Sequence, residues 1–268
     1  MWGEQMGKIP NPSIEGSTIG DLIALNFVDG DGDIVTNGAE DIFSFGGNDI
    51  VDAAGGNDRV WGGTGDDTLY GGAGKDRLYG EDDDDELHGG GGSDRLYGGD
   101  GNDELYGDGG ADIIQGDKGN DTIYGGVGND KIYGNKGNNE LFGEDGNDFI
   151  SSGDQTSLLD GGIGNDTLEL RLKKGGDHIA TGGDGADDFV FIQSGNTAVS
   201  DVTITDFELG IDEFTIEGVA GSTYLSLIGS GAVTSTGGGA DTLLTMTTGD
   251  TITFEGITEN DFEVFFGL

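Results

Sequence analysis

A carboxylate returns at almost every ninth residue through half of the chain. Laid without a gap from Val35 to Glu169, a nine-residue frame has an aspartate at its sixth position in twelve of fifteen repeats. Carboxylates at a fixed spacing can hold positively charged ions, and without such ions they repel one another. The twelve are Asp49, Asp58, Asp67, Asp76, Asp85, Asp94, Asp103, Asp112, Asp121, Asp130, Asp148 and Asp166.

The same frame predicts the elements that position these carboxylates. Its eighth position is aliphatic in all fifteen repeats, and glycine dominates positions one, two and four, as in GGVGNDKIY at 125–133. Glycine permits the backbone conformations of tight turns. Positions seven to nine then form a short strand whose middle side chain faces inward. One repeat gives one turn and one strand, so a full coil takes 18 residues and the fold class is all-β.

The nonapeptide resembles the repeat of the RTX (repeats-in-toxin) family of secreted calcium-binding proteins. The resemblance implies a right-handed parallel β-roll, a calcium-loaded solenoid of two facing sheets with a C-terminal β cap. It also implies that each ion lies between repeats n and n + 2, bridged by their sixth-position aspartates. Steps from one aspartate to the next then give about ten calcium ions.

The energetics agree with a need for ions. Coils stack about 4.8 Å apart, so aspartates 18 residues apart form ladders of like charge that a divalent cation would neutralise. Calcium accepts 6 to 8 oxygen ligands, including backbone carbonyls, in irregular geometry. Glu40, Asn139 and Ser157 interrupt the aspartate column, and Asp83 replaces a fourth-position glycine, so the sites beside them depart from the repeat pattern.

Composition excludes several classes of protein. The 268 residues carry 53 acidic and 11 basic side chains, for a formal charge of −42, which excludes nucleic acid as a partner. There is no cysteine for disulfides or thiolate metal sites. We find neither an apolar run long enough for a membrane span nor an N-terminal signal peptide.

The chain divides into four predicted regions. After the roll the register breaks at LRLKKGG and partial repeats resume, with Asp187 at position six and Phe189 at position eight. We therefore add Asp187 to the predicted calcium ligands. The regions are an N-terminal lead-in at 1–34, the roll at 35–169, irregular repeats at 170–190 and a C-terminal β cap with an export signal at 191–268.

The C-terminal region resembles the corresponding segments of RTX proteases and epimerases. GADDFVF, ITDFELGID and GDTITFEG occur here in that order, and the chain ends in ENDFEVFFGL. The resemblance implies an uncleaved signal for one-step export by type I secretion machinery. A plain all-β cap with no role in export is the alternative.

An EF-hand is the less favoured interpretation of DGDGDIVTNGAE. Asp29, Asp31, Asp33 and Glu40 would fall at loop positions one, three, five and twelve. Position six is Ile34, where the sharp turn of that loop calls for glycine. We expect an acidic lead-in to the first coil instead.

Catalysis is not predicted. The sequence contains no GxSxG or HExxH motif. Its two histidines, His88 and His178, fall within the repeats, and His88 is expected to be a solvated surface residue at position nine.

The outward positions seven and nine give the roll two different faces. One face carries Arg59, Arg77, Arg95 and Lys131 beside Trp61, Tyr79, Tyr97 and Tyr133. The other carries Thr68, Glu86, Glu104, Thr122 and Glu140 beside Tyr70, His88, Tyr106, Tyr124 and Phe142. The basic strip is either ordinary sheet cover, with arginines lying over neighbouring rings, or a site for an acidic polysaccharide.

Together these features predict a non-catalytic, extracellular calcium-binding RTX protein that folds on calcium binding after type I secretion. One alternative is the C-terminal folding and export module of an RTX hydrolase or epimerase. Another is a cell-surface adhesin or surface-layer protein that binds acidic polysaccharide through the basic strip.

Overall fold

The structure is a computed structural model, and it describes residues 13–15, 22–23, 38–172, 176–193, 201–217, 241–245 and 251–257. Every regular element in these ranges is a β-strand. The described residues form no helix that is long and apolar enough to cross a membrane. The strands are β1 (Ser13–Glu15), β2 (Leu22–Ile23), β3 (Asp41–Phe43), β4 (Ile50–Asp52), β5 (Gly55–Gly56), β6 (Arg59–Thr64), β7 (Thr68–Gly74), β8 (Arg77–Asp82), β9 (Glu86–Gly92), β10 (Arg95–Asp100), β11 (Glu104–Tyr106), β12 (Gly109–Gly110), β13 (Ile113–Lys118), β14 (Thr122–Val127), β15 (Lys131–Tyr133), β16 (Asn139–Asp145), β17 (Phe149–Ser151), β18 (Ser157–Ile163), β19 (Thr167–Leu172), β20 (His178–Asp184), β21 (Asp188–Gln193), β22 (Asp201–Ile204), β23 (Glu213–Glu217), β24 (Thr242–Thr245) and β25 (Thr251–Phe254).

Successive strands alternate between two sheets. Sheet A has the order β1-β3-β6-β8-β10-β13-β15-β17-β19-β21-β23. Sheet B has the order β2-β4-β7-β9-β11-β14-β16-β18-β20-β22-β25-β24, with β5 and β12 as short additional strands. Through the nonapeptide repeats, neighbouring strands of a sheet are parallel and pair residues 18 apart, as in Leu69 with Leu87. The predicted all-β parallel roll with an 18-residue coil is confirmed.

The eighth-position side chains form the core between the two sheets. All fifteen, from Ile42 to Leu168, have no solvent-exposed surface. Because a strand residue and its two neighbours point to opposite faces, burial of the middle residue turns positions seven and nine outward. Each side chain also lies directly above its counterpart in the previous coil, so the sequence period becomes a set of continuous columns.

The turns need glycine for two reasons, which Gly74 illustrates. Its φ of 149° is rarely adopted by residues with a side chain. A Cβ at this position would also come within 1.4 Å of the Gly56 carbonyl oxygen in the preceding coil. Asp83, which replaces the fourth-position glycine of its repeat, also has a positive φ, of 81°. The turn around Asp83 therefore keeps the fold of the others, at a cost of roughly 1 kcal/mol.

Both sheets continue beyond the nonapeptides at each end of the roll. The N-terminal strands β1 and β2 pair in parallel with β3 and β4. At the other end, β22, β23 and β25 extend the two sheets, and β24 pairs with β25 in the antiparallel direction. Aromatic rings fill the wider core here, with centroids 5.1 to 6.0 Å apart among Phe189, Phe207, Phe214 and Phe254.

Candidate metal centres

The turns stack into two edges of the roll, and the sixth-position aspartates lie inside them. Edge 1 consists of the turns that lead from sheet B to sheet A, and edge 2 of those that lead from sheet A to sheet B. All thirteen predicted aspartates are between 1 and 3% exposed. Edge 1 holds Asp58, Asp76, Asp94, Asp112, Asp130, Asp148, Asp166 and Asp187, and edge 2 holds Asp49, Asp67, Asp85, Asp103 and Asp121.

One carboxylate oxygen of each ladder aspartate is used by the backbone. The amide of Asp76 donates to Asp94 Oδ1 at 2.8 Å, and the amide of Asp94 donates in turn to Asp112 Oδ1 at 2.7 Å. The same bond links each ladder residue to the next coil on both edges, from Glu40 to Asp212 on edge 1 and from Asp49 to Asn139 on edge 2. The side chain at position six therefore accepts a backbone hydrogen bond of the turn as well as carrying charge.

The second carboxylate oxygen is buried and makes no hydrogen bond in twelve of these residues. A buried polar oxygen without a partner costs about 1 to 3 kcal/mol, and more when it is charged. Twelve such atoms in one stretch of chain point to a missing partner rather than to isolated strain. The oxygens are Oδ2 of Asp58, Asp67, Asp76, Asp85, Asp94, Asp103, Asp112, Asp121, Asp130, Asp148, Asp166 and Asp187.

A carbonyl oxygen from the next coil points toward the same place. A Cβ placed on Gly98 would lie 2.2 Å from Asp103 Oδ2 and 2.9 Å from the Gly116 carbonyl oxygen. Eight further first-position glycines show the same pair of acceptors, including Gly143 with Asp148 Oδ2 at 2.6 Å. Two oxygen acceptors that face each other without a donor repel. A cation between them would convert this repulsion into attraction.

The carboxyls also hold their protons more tightly than exposed aspartates do. Burial raises the pKa of Asp85 to about 8 and that of Asp94 to about 7, partly offset by the backbone hydrogen bond to Oδ1. Neighbouring carboxylates of the ladder raise both pKa values further. The pKa is raised to about 7 at Asp58, Asp103, Asp130 and Asp148, and to about 6 at Asp67, Asp76, Asp112, Asp121, Asp166 and Asp187.

The donor set fits a hard cation with many oxygen ligands. Within the described ranges no group of three or more carboxylate or imidazole side chains is placed to hold a metal ion by itself. A bound ion would instead take carboxylate oxygens from successive coils together with backbone carbonyls. Calcium accepts this mixture and its irregular geometry, whereas magnesium demands a near-ideal octahedron.

Edge 2 loses its carboxylates halfway along the roll. Asn139 accepts the amide of Asp121 like an aspartate, but its Nδ2 atom occupies the position of the unpartnered oxygen. Ser157 and His178 follow in register, and His178 Nε2 contacts the Arg171 carbonyl oxygen at 3.2 Å. The interruptions at Asn139 and Ser157 expected from the sequence thus leave edge 2 without further ladder carboxylates in its described C-terminal coils. The interruption at Asp83 does not affect the ladder, because Asp85 keeps its place beside it.

Asp212 belongs to the edge 1 ladder and was missed by sequence reasoning. It lies 25 residues after Asp187, and its Oδ1 accepts the Asp187 amide at 3.0 Å. Its Oδ2 accepts the Glu208 amide at 2.7 Å, so the ladder ends here without an unpartnered oxygen. A signal was present in the sequence, because Asp212 and Phe214 keep the two-residue offset of Asp187 and Phe189.

Fold and site together define a parallel β-solenoid whose turns carry two ladders of buried carboxylates. The sequence profile of the RTX calcium-binding nonapeptide repeat matches overlapping segments at residues 43–78, 70–105, 79–114, 106–141, 124–159 and 133–168. Residues 43–168 therefore carry RTX calcium-binding nonapeptide repeats. A comparison with curated protein sequences gives no match.

One solved structure supports the parallel β-solenoid fold, and two others resemble the chain more weakly. A hyperactive, Ca²⁺-dependent, β-helical antifreeze protein from an Antarctic bacterium superposes with a TM-score of 0.52 at 20% identity, covering 79% of this chain and 77% of that one. The extracellular lipase LipA from Serratia marcescens gives a TM-score of 0.25 at 17% identity, with coverage of 70% and 38%. The AlgE6R3 subunit of the Azotobacter vinelandii mannuronan C5-epimerase gives 0.22 at 24%, with coverage of 68% and 78%.

Proposed function

We propose that this protein is a non-catalytic, extracellular calcium-binding protein whose roll folds when calcium occupies the two ladders. The observation that carries the proposal is the set of twelve buried Oδ2 atoms without a hydrogen-bond partner. Folding without ions would bury these oxygens beside carbonyl oxygens and beside one another. Folding with ions gives every one of them a cation as partner.

The ligands we assign are the thirteen aspartates at position six together with carbonyls of the glycine turns. Bound calcium would supply positive charge between successive coils and nothing further. Edge 1 offers seven consecutive aspartate pairs from Asp58 to Asp187, and edge 2 offers four from Asp49 to Asp121. The spacing of 21 residues between Asp166 and Asp187 keeps the same backbone bond as the 18-residue steps. These eleven pairs are the ten counted from the sequence together with the pair of Asp166 and Asp187.

A calcium titration followed by far-ultraviolet circular dichroism tests the proposal. The chain in chelator should give a largely unfolded spectrum, and rising calcium should give a cooperative transition to β-structure. Magnesium at the same concentrations serves as the control and should give none. A roll that is fully folded in excess chelator, or that magnesium folds equally well, would refute the proposal.

Export through type I secretion machinery is the second part of the proposed function. It is supported by the resemblance of the C-terminal segments to those of RTX proteases and epimerases. The last of these segments in this chain, residues 258–268, lies outside the described residues. Deleting residues 200–268, or 258–268 alone, should abolish export through a co-expressed type I system while the chain accumulates in the cell. The shorter deletion leaves every described strand intact. Unchanged export of both deletions would exclude a C-terminal signal.

The surroundings of the two histidines favour a structural role for both. His88 is stacked between Tyr70 and Tyr106, and its Nε2 contacts Glu86 Oε1 at 2.8 Å. His178 is buried within edge 2, where burial lowers its pKa. The alternative of a folding and export module within a larger hydrolase or epimerase keeps the same role for these residues. Of the alternative EF-hand loop at residues 29–40, residues 29–37 lie outside the described residues, and the amide of Glu40 donates to Asp58 in the edge 1 ladder.

A further inference from the structure

The outer face of sheet A carries a column of three arginines in register. Arg59 pairs with Arg77, and Arg77 pairs with Arg95, on three successive parallel strands. Beside them Trp61, Tyr79 and Tyr97 form a second column. We call these six residues the basic strip. Like charges directly opposite in a sheet are destabilising, so the arginine column is costly unless an anion neutralises it.

The neighbouring rings do not supply that neutralisation. The rings stack on one another. The ring centroid of Trp61 lies 4.4 Å from that of Phe43 and 5.4 Å from that of Tyr79, and the centroids of Tyr79 and Tyr97 are 5.0 Å apart. Their planes are within 8° of parallel. Both faces of Trp61 and Tyr79 are therefore covered by other rings. A guanidinium group gains its cation–π attraction over a ring face, and these faces are already occupied.

Carboxylates of the protein neutralise only one end of the column. Arg59 lies 3.4 Å from Asp41, and among the described residues neither Arg77 nor Arg95 forms an ion pair. Two residues before each arginine the turn carries Asn57, Lys75 and Ser93, none of them acidic. On sheet A, positions seven and nine of these three coils therefore carry no carboxylate, and the nearest exposed acids of the same strands are Glu81, Asp82 and Asp100 at the ends of β8 and β10.

A groove nearby is a weaker candidate for binding an anion. It has a volume of about 540 Å³ and is lined by Lys118, Lys136 and Arg171. Asp100, Asp117 and Asp154 line it as well, so its charges balance. Lys118 is also paired with Asp100. The basic strip, in contrast, has an excess of positive charge.

From this geometry we infer that the basic strip binds a linear polysaccharide that carries a carboxylate on successive sugars. Arginine matches a carboxylate through two parallel hydrogen bonds, and the column repeats this match once per coil, about every 4.8 Å. A polyuronate repeats its carboxylate once per sugar ring, so one chain laid along the roll can meet several arginines. The inference rests on the proposed function, because the column exists only when the roll is folded. Calcium in the ladders would also reduce the repulsion between the acidic protein and a polyanion.

Binding of a fluorescently labelled oligogalacturonate tests the inference. The chain is too short to gel with calcium, and its anisotropy is measured with calcium-loaded protein at low and at high salt. Arg77→Gln should weaken binding roughly threefold, the effect of one exposed charge pair, and Arg59→Gln, Arg77→Gln and Arg95→Gln together on the order of thirtyfold. Lys136→Gln is the matched control, since it removes the same charge from the groove and should change little.

Circular dichroism of each variant separates this inference from the calcium proposal. A wild-type protein that folds with calcium but does not bind the oligouronate at low salt would overturn the inference alone. Equal losses in Arg77→Gln and Lys136→Gln would overturn it too, because attraction would then depend on net charge only. Full binding by the triple variant would mean that calcium bridges the sugar to surface carboxylates. Equal or tighter binding of a sulfated oligosaccharide of the same length would overturn the assignment to carboxylates.

Discussion

Replacing Asp103 by asparagine should remove calcium from the middle of edge 2 without removing a backbone contact. Asp103 Oδ1 accepts the amide of Asp85 at 2.9 Å, and an asparagine oxygen can accept the same bond. Asn139 already does so for Asp121 at 2.9 Å. The buried Oδ2 atom, in contrast, becomes an amide nitrogen that cannot ligate a cation. Asp103→Asn is therefore a test of the metal ligand and leaves the turn intact.

The magnitude follows from the number of ions that Asp103 contacts. If ions lie between successive ladder residues, Asp103 ligates one ion with Asp85 and a second with Asp121. Each bound ion adds about 1.4 kcal/mol to the free energy of unfolding for every tenfold rise in free calcium. Loss of both ions should lower that slope by about 2.7 kcal/mol per tenfold change. Removing one carboxylate also relieves repulsion of roughly 3 kcal/mol from each neighbour at an effective dielectric constant of 20, so the ion-free roll should become less unstable.

Urea unfolding at a series of buffered calcium concentrations gives the slope, and native mass spectrometry gives the number of bound ions. Asp84→Asn is the matched control. Asp84 is exposed one residue before a ladder position, and its Oδ1 accepts the Asn102 amide at 2.6 Å, a bond that asparagine retains. The control should keep the wild-type slope and ion count. Equal slopes and ion counts for Asp103→Asn and Asp84→Asn would refute the assignment of Asp103 as a ligand.

Four further outcomes are expected. Asn139→Asp should extend the edge 2 ladder and add one ion, which native mass spectrometry would count; an unchanged count would oppose the ladder. Gly98→Ala should raise the calcium concentration at the folding midpoint, because its Cβ would lie 2.2 Å from Asp103 Oδ2, whereas Gly91→Ala, with no atom within 4 Å of its Cβ, should not. In chelator, circular dichroism should show more β-structure at pH 5 than at pH 8. Burial raises the pKa of the ladder carboxyls from 3.8 in the unfolded chain to between about 6 and 8 in the folded roll. Protonation of these carboxyls therefore stabilises the ion-free roll fully below about pH 4, and this stabilisation is lost as the pH rises to between about 6 and 8. Phe207→Ala should lower the free energy of unfolding in calcium by about 3 to 5 kcal/mol in urea titrations, since it empties the centre of the C-terminal ring cluster.

The nine-residue period was sufficient to predict the roll and its inward column. Because the repeat is strict, every coil has the same inward and outward positions, and the burial of Leu96 is predicted in the same way as that of Leu87. The period also predicted which aspartates form the two ladders, whereas their burial at the edges is visible only in the structure. Where insertions changed the spacing, as before Asp212, counting from the repeat no longer identified the ladder residue.

Side-chain directions within the outward columns could not be read from the period. The sequence allowed arginines to lie over the rings of the basic strip. In the structure each ring covers the next one in its column, because identical positions in register bring flat side chains about one coil spacing apart. The unpartnered Oδ2 atoms were likewise invisible in the sequence. Oδ2 lacks a hydrogen bond because the backbone amide of the preceding coil donates to Oδ1 of the same carboxylate.

The antiparallel strand β24 has a consequence for how the molecule meets its own copies. A parallel roll ends in an open strand whose amides and carbonyls could accept the first strand of another molecule, and repeated addition would produce a fibre. On sheet B the final described strand runs opposite to the rest, as Thr242 pairs with Phe254 and Thr245 with Thr251. An incoming parallel coil would meet the wrong hydrogen-bonding pattern and side chains out of register. Reversal of β24 thus disfavours the addition of another parallel coil at this end of the described part of sheet B.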